Sequence, residues 1–478
     1  MSKIAVIIRN EYVAFYASLA DLLSKTNHVQ VLVDNPSVKK IVSRVAPDIS
    51  SLVRVLPERR LDPQVTKDTT VTAVNNERRL GVRYSSFLAK DRALGRGYMS
   101  NIDGYPSFGR EYWPHEQRLE SLNREVDLYS KVLLGIDVLI SQWPEAVPIA
   151  ICEAHGIQHF HLLPIKFGDR YYWSTDSYKG SEELKNAILS AIHGARNCEE
   201  LPSTSYEVDS CSSAVISQIS YDLRGACLAS FRIAKRDIYN LLKKRSKPNS
   251  VRTFGWIPSR FRKYRNSRFV NAKGIGLESV QNKKYIFFPL HMEPEVSLYL
   301  FSPEFINTFE ALVWLSKSIP ADWQIVVKEQ PNGFQFRAHH FYQRLLQIGN
   351  IRLADTNTKA WDWIKHSQAA AVFTSTVGIE AVHFEKPVIS FSRNQYINLL
   401  PTVFEARSFE DTLTAVSQIE NLAQGAAELQ ISRVSLYQAQ QSVSFPLENL
   451  PKMAKSSVPD EHTVYFAGKQ LMTRYSKF

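Results

Sequence analysis

The sequence lacks the residue patterns of several common protein classes. Its 478 residues include only four cysteines, none in CxxC spacing, so we predict neither a disulfide scaffold nor a cysteine-based zinc site. No apolar run approaches the ~20 residues that a helix needs to cross a bilayer. The opening segment MSKIAVIIRN predicts a first strand rather than a signal peptide. These absences favour a cytoplasmic protein with reduced thiols.

Sequence motifs for nucleotide hydrolysis, ester hydrolysis and metal catalysis are also missing. There is no Walker A sequence, no G-x-S-x-G element and no HExxH motif. His155, His159 and His161 lie close together, but Gly156 interrupts the spacing and no carboxylates cluster with them. We therefore expect no metal ion and no other bound cofactor.

The C-terminal half alternates short apolar segments with segments of helical periodicity. Strands are predicted at 285–291, 323–327, 350–353, 369–373 and 388–391, with helices between them. This alternation is typical of an α/β fold with a parallel sheet and right-handed crossovers. Length and composition, with 44% hydrophobic and 22% charged residues, suit two such domains of about 200 residues each.

Polar side chains follow several of these strands at the edge where parallel sheets bind ligands. Around 374–376 three hydroxyl residues open a helix, whose unpaired amides and dipole favour an anion. Gly378 permits close approach, and Glu380 offers a carboxylate to the hydroxyls of a sugar. The alternative is an ordinary strand–helix–strand unit with a Ser/Thr cap. The residues predicted at this edge are His291, Glu293, Lys328, Gln330, Thr374, Ser375, Thr376, Gly378 and Glu380.

Three segments, FFPLHMEPE, VVKEQPN and TSTVGIEAVHFEKPVISF, resemble the capsular-polysaccharide synthesis glycosyltransferases, which are related to the β-Kdo transferases. The resemblance is specific over 284–396. It implies the GT-B fold, in which two Rossmann-like, doubly wound domains face a central cleft. It further implies metal-independent transfer from a nucleotide sugar, such as a CMP-linked ulosonic acid, to a bacterial surface glycan or lipid-linked glycan.

One residue departs from the family pattern. Gln330 stands where related enzymes carry a histidine that binds the donor phosphate. Glutamine can donate a hydrogen bond but cannot carry a proton or a charge. Gln330 is the best support for one alternative to a transferase, a non-catalytic scaffold that binds glycan or lipid. A second alternative, a sugar-nucleotide epimerase of the 2-epimerase type, stays open because it shares the architecture and a similar C-terminal site.

The candidate catalytic base of such a transferase comes from the segment CEAHGIQHFHLLPIKFGDRYYW at 152–173. Gly168 predicts a tight turn at the end of a strand, from which Asp169 would project. The resemblance to the Kdo transferases also points to an Asp in a comparable loop. Glu153 and His155 are the second choices, with capping and packing as the structural alternatives.

The predicted domain plan has four parts. Residues 1–240 form a Rossmann-like acceptor domain, with an irregular polar region at 56–113 and a serine-rich insertion at 203–220. A basic interdomain linker covers 241–283. Residues 284–430 form the nucleotide-sugar domain, and 431–478 form a tail that packs back on the first domain.

The basic segment carries a charge as large as that of the whole chain, +11. Residues 241–276 contain eleven Lys or Arg and no Asp or Glu, with aromatic residues between them. A solvated linker, an anionic membrane surface, an anionic glycan and a nucleic acid all fit such a pattern. We expect contact with an anionic membrane surface through 243–273, hence a peripheral position at the inner face of the membrane, and no nucleic-acid partner.

Overall fold

The computed structural model divides the chain into two units. Unit 1 comprises Met1–Phe87, Trp113–Ser181 and Ser444–Phe478, and unit 2 comprises Leu88–Tyr112 and Glu182–Val443. The described residues are 1–9, 12–56, 63–91, 94, 113–142, 144–165, 168–176, 182–198, 222–242, 254–293, 298, 302, 304–305, 308–338, 340–393, 395–422, 425–447, 450 and 460–474.

Unit 1 is built on a seven-stranded sheet in the order β13-β6-β5-β4-β1-β2-β3. The strands from β5 to β3 in this order are parallel, whereas β6 runs antiparallel to β5 and β13 antiparallel to β6. The bounds are β1 Lys3–Ile8, β2 His28–Val33, β3 Val53–Val55, β4 Val138–Ser141, β5 Gln158–Pro164, β6 Arg170–Ser174 and β13 Phe445–Pro446.

The helices of the first half cover this sheet. Asn35 caps α2 by accepting a 3.0 Å hydrogen bond from the amide of Val38, and Pro36 occupies its first turn. Gly156, at a φ of 66°, ends α6 in the left-handed conformation. The bounds are α1 Val13–Ser24, α2 Pro36–Val45, α3 Thr69–Leu80, α4 Tyr84–Lys90, α5 His115–Val132 and α6 Ala146–His155.

The end of the chain returns to unit 1 at Ser444. The predicted return, at residue 431, is earlier in the chain. The indole of Trp173, fully buried in β6, donates a 3.0 Å hydrogen bond to the carbonyl of Ala467. Gly468 lies so close to α1 that a Cβ there would stand 2.7 Å from a methyl of Leu22. The core of unit 1 is therefore completed by the C-terminal segment.

Unit 2 contains an all-parallel sheet of six strands in the order β12-β11-β10-β7-β8-β9. Its central strands are continuous apolar runs because helices cover both faces. The bounds are β7 Lys284–Pro289, β8 Trp323–Lys328, β9 Ile351–Leu353, β10 Ala369–Val372, β11 Val388–Ser390 and β12 Val403–Glu405.

The helices of unit 2 begin before its sheet. Ser408 opens α14 with a capping box in which its hydroxyl and Asp411 exchange hydrogen bonds with each other's backbone. The bounds are α7 Glu182–Arg196, α8 Leu223–Leu242, α9 Ile257–Lys273, α10 Thr308–Ser318, α11 Phe341–Leu346, α12 Ala360–His366, α13 Thr376–His383, α14 Phe409–Asn421, α15 Ala427–Val443 and, in unit 1, α16 Glu461–Arg474.

The predicted fold class, two Rossmann-like α/β domains, is confirmed, and three local expectations change. The region predicted to be irregular at 56–113 contains α3 and α4. The predicted helix at 336–348 is reduced to α11, which follows a short 3₁₀ turn at Gly333–Gln335. The predicted linker at 241–283 contains α9, which packs on unit 2 because its apolar and small residues are buried there. The serine-rich segment at 203–220 lies outside the described residues.

Candidate functional site

The carboxyl ends of β7, β8 and β10 bring several predicted site residues to one edge of unit 2. β7 lies between β10 and β8 in the sheet, so the residues that follow these three strands are neighbours. The imidazole Nε2 of His291, beyond β7, is 2.8 Å from the hydroxyl of Thr374, beyond β10. The structure therefore joins two of the segments that the sequence analysis singled out.

The first turn of α13 is the half-buried end of a buried helix. Ser375 caps it, with its hydroxyl accepting a hydrogen bond of 3.2 Å from the amide of Val377. Thr374, Ser375 and Thr376 are half-buried, whereas the helix from Val377 to His383 is buried throughout. The hydroxyl residues around the amide end of the helix are therefore partly accessible to solvent.

Gly378 is required by packing behind this turn. A Cβ at that position would stand 3.0 Å from Val372 of β10 and 3.0 Å from Ile397. The glycine therefore lets the start of α13 approach the sheet closely, which places the α13 amides directly at the end of β10.

Glu380 points into the protein rather than into water. It is 5% exposed, and burial raises the pKa of its carboxyl, while hydrogen bonds from the side chains of Trp361 and Thr376 act in the opposite direction. The carboxylate that the sequence analysis assigned to sugar hydroxyls therefore already has two partners within the protein.

Lys328 also has internal partners. Its ammonium donates to the carbonyl of Asp355 at 2.9 Å and to the hydroxyl of Thr358 at 3.3 Å. Burial lowers the pKa of Lys328 to about 8, against the opposing attraction of Asp355. The amine therefore fixes the loop after β9.

Glu293 belongs to a buried ion network that the sequence analysis did not predict. Arg337, 1% exposed, pairs with Glu293 and with Glu329, its Nε lying 2.9 Å from Glu329, and donates to the carbonyl of His291. The hydroxyl of Tyr342 donates to Glu329 at 2.9 Å. We call these five residues, His291, Glu293, Glu329, Arg337 and Tyr342, the Arg337 network.

The buried Arg337 network supports the carboxyl edge of the unit 2 sheet. Glu293 also accepts a 2.7 Å hydrogen bond from the amide of Thr308 at the start of α10. Gln330, by contrast, has an exposed side chain, while its amide donates to Glu329 at 3.0 Å. Between Glu293 and Gln330, it is therefore Gln330 whose side chain is accessible to a ligand.

Asp169 lies in the exposed turn between β5 and β6 of unit 1, after Gly168 at a φ of 56°. Its carbonyl accepts a 2.8 Å hydrogen bond from Leu447, and the neighbouring Arg170 donates to Ser444 at 2.8 Å. The turn is at the carboxyl edge of the parallel strands and is fixed by the C-terminal segment.

Glu153 and His155 lie at the opposite edge of the same sheet. Both are exposed in the last turn of α6, whose C-terminal end leads into the start of β5. Since ligands of such sheets bind beyond the carboxyl ends of the strands, this position removes both residues from our candidate site.

Two of the three sequence-adjacent histidines are buried on one face of β5. Nδ1 of His161 is 2.9 Å from the hydroxyl of Ser141, and Nε2 of His161 is 3.2 Å from Nδ1 of His159. Burial lowers the pKa of His161 to about 3, so the ring is neutral. Within the described ranges, no group of three or more His, Cys, Asp or Glu is arranged to hold a metal ion.

The sequence of unit 2 matches a known family. Residues 197–398, less than half of the chain, match the family model described as "Capsule polysaccharide biosynthesis protein". The segment 284–396, for which the sequence analysis stated a resemblance to capsular-polysaccharide synthesis proteins, lies within this match. The match lies within unit 2 and includes α8, α9 and the whole carboxyl edge described above. No curated protein matches the chain significantly.

Solved structures of similar size share low sequence identity with the chain. The β-Kdo 2,7 transferase KpsC of Thermosulfurimonas dismutans is 12% identical, with 64% of this chain and 81% of that chain covered and a TM-score of 0.29. The UDP-GlcNAc 2-epimerase of Methanocaldococcus jannaschii is 12% identical over 91% and 99%, with a TM-score of 0.29. The UDP-GlcNAc 2-epimerase of Neisseria meningitidis is 11% identical over 94% and 100%, also with a TM-score of 0.29. These likenesses carry no argument about function.

Proposed function

We propose that the protein is a glycosyltransferase of capsule polysaccharide assembly that takes its sugar from a nucleotide donor. The family match over 197–398 supports the pathway, and the amide end of α13 with its half-buried hydroxyl residues supports the reaction class. The observation that carries the proposal is this helix end, because a leaving nucleotide is an anion that needs fixed donors.

In this proposal the donor phosphate contacts the first-turn amides of α13 and the hydroxyls of Ser375 and Thr376. Preorganised N–H groups stabilise the charge that develops on a leaving phosphate without transferring a proton. The hydrogen bond between His291 and Thr374 holds the adjoining hydroxyl in place. Gln330, with its exposed amide, supplies a neutral donor where a histidine is usual.

The remaining parts of the proposal concern the base, the donor and the acceptor. Asp169 accepts the proton of the acceptor hydroxyl, because its carboxylate lies in an exposed and fixed turn. The donor is a nucleotide sugar, with a CMP-linked ulosonic acid as the first candidate, and the acceptor is a bacterial surface glycan or its lipid-linked precursor. We propose that transfer needs no metal ion.

Nucleotide binding tests the donor site. CMP, CDP, UDP, GDP and dTDP are titrated into the protein and into the Ser375→Ala variant by calorimetry. We expect one of the five nucleotides to bind, and its affinity to fall at least tenfold in Ser375→Ala, because one hydrogen-bond partner of a charged group is worth about 1.5–3 kcal/mol.

Ser408→Ala provides the matched control. Ser408 caps α14 in the same unit, so its loss costs a similar ~1 kcal/mol of stability without touching the candidate site. Equal binding by both variants, or no binding of any nucleotide to the wild type, would contradict the donor site and favour the scaffold alternative.

Turnover of the preferred sugar nucleotide tests the base. We expect Asp169→Asn to lower acceptor-dependent transfer at least 100-fold, whereas Asp68→Asn, an exposed change near the start of α3, leaves it unaltered. Chelation by EDTA should have no effect. Release of free sugar and nucleotide without an acceptor, at an equal rate in Asp169→Asn, would indicate the epimerase reaction instead.

A further inference from the structure

Helix α8 exposes large apolar side chains along one side. Its opposite side is buried through Ala226, Ser230, Ile233 and Asp237. Seven large apolar residues of α8 are exposed, and three of them are Leu223, Tyr239 and Leu241. The other four are Leu228 at 50%, Phe231 at 69%, Ile238 at 49% and Leu242 at 80% of their full accessible surface. Their spacing of three, seven and four residues places them on one face.

Cations lie within and beside this apolar face, and carboxylates do not. Arg224, Arg232 and Lys235 are exposed on the same side of α8. Helices α8 and α9 together contain ten Lys or Arg and one acid, Asp237. That acid is buried, pairs with Arg236 and accepts a 2.8 Å hydrogen bond from the amide of Phe254, just before α9.

The helix is held firmly to unit 2. Asp237 connects α8 to the segment that opens α9, and α9 is fixed in turn by Asn266, whose side chain donates to the carbonyls of Phe334 and Arg337 at 2.9 and 3.1 Å. The exposed face of α8 is thus a fixed surface of the domain that carries the candidate donor site.

We propose that the exposed face of α8 is a membrane-binding surface that inserts its apolar side chains into a bilayer of anionic lipids. We call this surface, Arg224, Leu228, Phe231, Arg232, Lys235, Ile238 and Leu242, the α8 face. It extends the expected membrane contact of 243–273 to a helix that the sequence analysis left unassigned. This proposal does not depend on the transfer reaction.

Charge and chemistry select this partner over three others. A second copy of the chain would bring like charges together when two α8 faces meet. A nucleic acid would use the cations but leave the aliphatic side chains in water. A carboxylate-rich protein would match the charge only. Anionic lipids match both, because Lys and Arg reach the headgroups while Leu, Ile and Phe enter the acyl boundary.

No membrane-spanning segment is needed for such binding. Among the described residues, no helix is both long enough and apolar enough to cross a bilayer. An interfacial helix instead lies in the plane of the surface with its apolar side buried by about 5–10 Å.

Vesicle sedimentation with the full chain, in the absence of any sugar nucleotide, tests the proposal. We expect binding to vesicles of phosphatidylglycerol and phosphatidylcholine, and little binding to phosphatidylcholine alone. The triple variant Arg224→Gln, Arg232→Gln, Lys235→Gln should bind about 100-fold more weakly, since each cation contributes about fivefold near an anionic surface.

Apolar insertion has its own variant. Phe231→Ser with Ile238→Ser should weaken binding to the anionic vesicles at least tenfold at constant charge. The apolar control is Val71→Ser with Leu413→Ser, two side chains of similar exposure, at 60% and 48%, on other helices. The charge control is Lys25→Gln, Lys67→Gln and Lys317→Gln, three exposed cations elsewhere.

Hydrogen exchange on the wild-type protein gives a measurement that needs no variant. Anionic vesicles should slow exchange in 223–242 and leave α14 unchanged. Equal binding to neutral and anionic vesicles, unaltered binding of both α8 variants, or a dimer that Phe231→Ser dissociates would overturn the proposal. If the wild-type protein binds anionic vesicles but no nucleotide, the proposed transferase function is refuted and the proposal for the α8 face still stands.

Discussion

Replacing Arg337 by methionine should destabilise unit 2 more than any ordinary surface change. The guanidinium is 1% exposed and is paired with two carboxylates, Glu293 and Glu329, that are themselves buried. Removing one partner of a buried pair leaves the other charge uncompensated, which costs about 3–5 kcal/mol. At about 2–4 °C per kcal/mol for a domain of this size, we expect calorimetry to show the transition of unit 2 lowered by roughly 6–20 °C.

The loss of folding stability in Arg337→Met should depend on pH. Burial raises the pKa of Glu329 against the opposing effect of Arg337, and without Arg337 that pKa rises further. A carboxyl whose folded-state pKa lies above its unfolded value is favourable to folding when protonated and unfavourable when charged. The difference in stability between wild type and Arg337→Met should therefore shrink as the pH falls from 8 toward 5.

An exposed arginine in the same unit is the control. Arg407 pairs with Glu405, but its side chain is 52% exposed, so Arg407→Met should cost no more than about 1 kcal/mol. The reasoning would be refuted by equal losses in the two variants, by a loss below about 1 kcal/mol for Arg337→Met, or by a difference that grows on acidification.

Two further outcomes follow from the same edge of the sheet. Gly333→Ala should cost about 1–3 kcal/mol in denaturant unfolding, because its Cβ would overlap Oε1 of Glu329, which accepts a hydrogen bond from the amide of Gln330, whereas Gly349→Ala, which has open space, should be neutral or slightly stabilising. Since the folded pKa of Lys328 lies near 8, below its unfolded value, wild-type stability should rise from pH 8 toward 10, and Lys328→Met should remove this rise of at most about 3 kcal/mol. Identical pH profiles in the two proteins would contradict the assignment to Lys328.

The strands of unit 2 were predictable because a strand buried on both faces is a continuous run of apolar residues. The predicted strands at 285–291, 323–327 and 388–391 match β7, β8 and β11 to within about one or two residues. The start of α13 was predictable for the same reason, since Ser375 follows a buried strand directly and has the side chain of an N-cap.

The Arg337 network was not predictable, because its members are far apart in sequence. Arg337 lies 44 residues after Glu293, and it was placed in a predicted helix that the structure replaces with a turn. A signal did exist: two carboxylates at strand ends that become buried require a cation, and Arg337 is the arginine next to KEQPN. Sequence periodicity alone does not reveal which partner is chosen.

The same network explains how strand ends rich in carboxylates can serve an anion. The segments HMEPE and KEQPN place Glu293 and Glu329 at the edge where we propose that a phosphate binds. Exposed carboxylates there would repel a nucleotide, but these two side chains are 1% and 4% exposed and paired with Arg337.

With those charges turned inward, the other groups at the proposed phosphate site are the hydroxyls of Thr374, Ser375 and Thr376, the His291 ring and the α13 amides. His291 connects the Arg337 network to the hydroxyl residues at the start of α13, because its carbonyl accepts a hydrogen bond from Arg337 while its ring contacts Thr374. A change in the network should therefore alter nucleotide affinity as well as stability. That joint effect separates a positioning role of Arg337 from a purely structural one, which would lower stability alone.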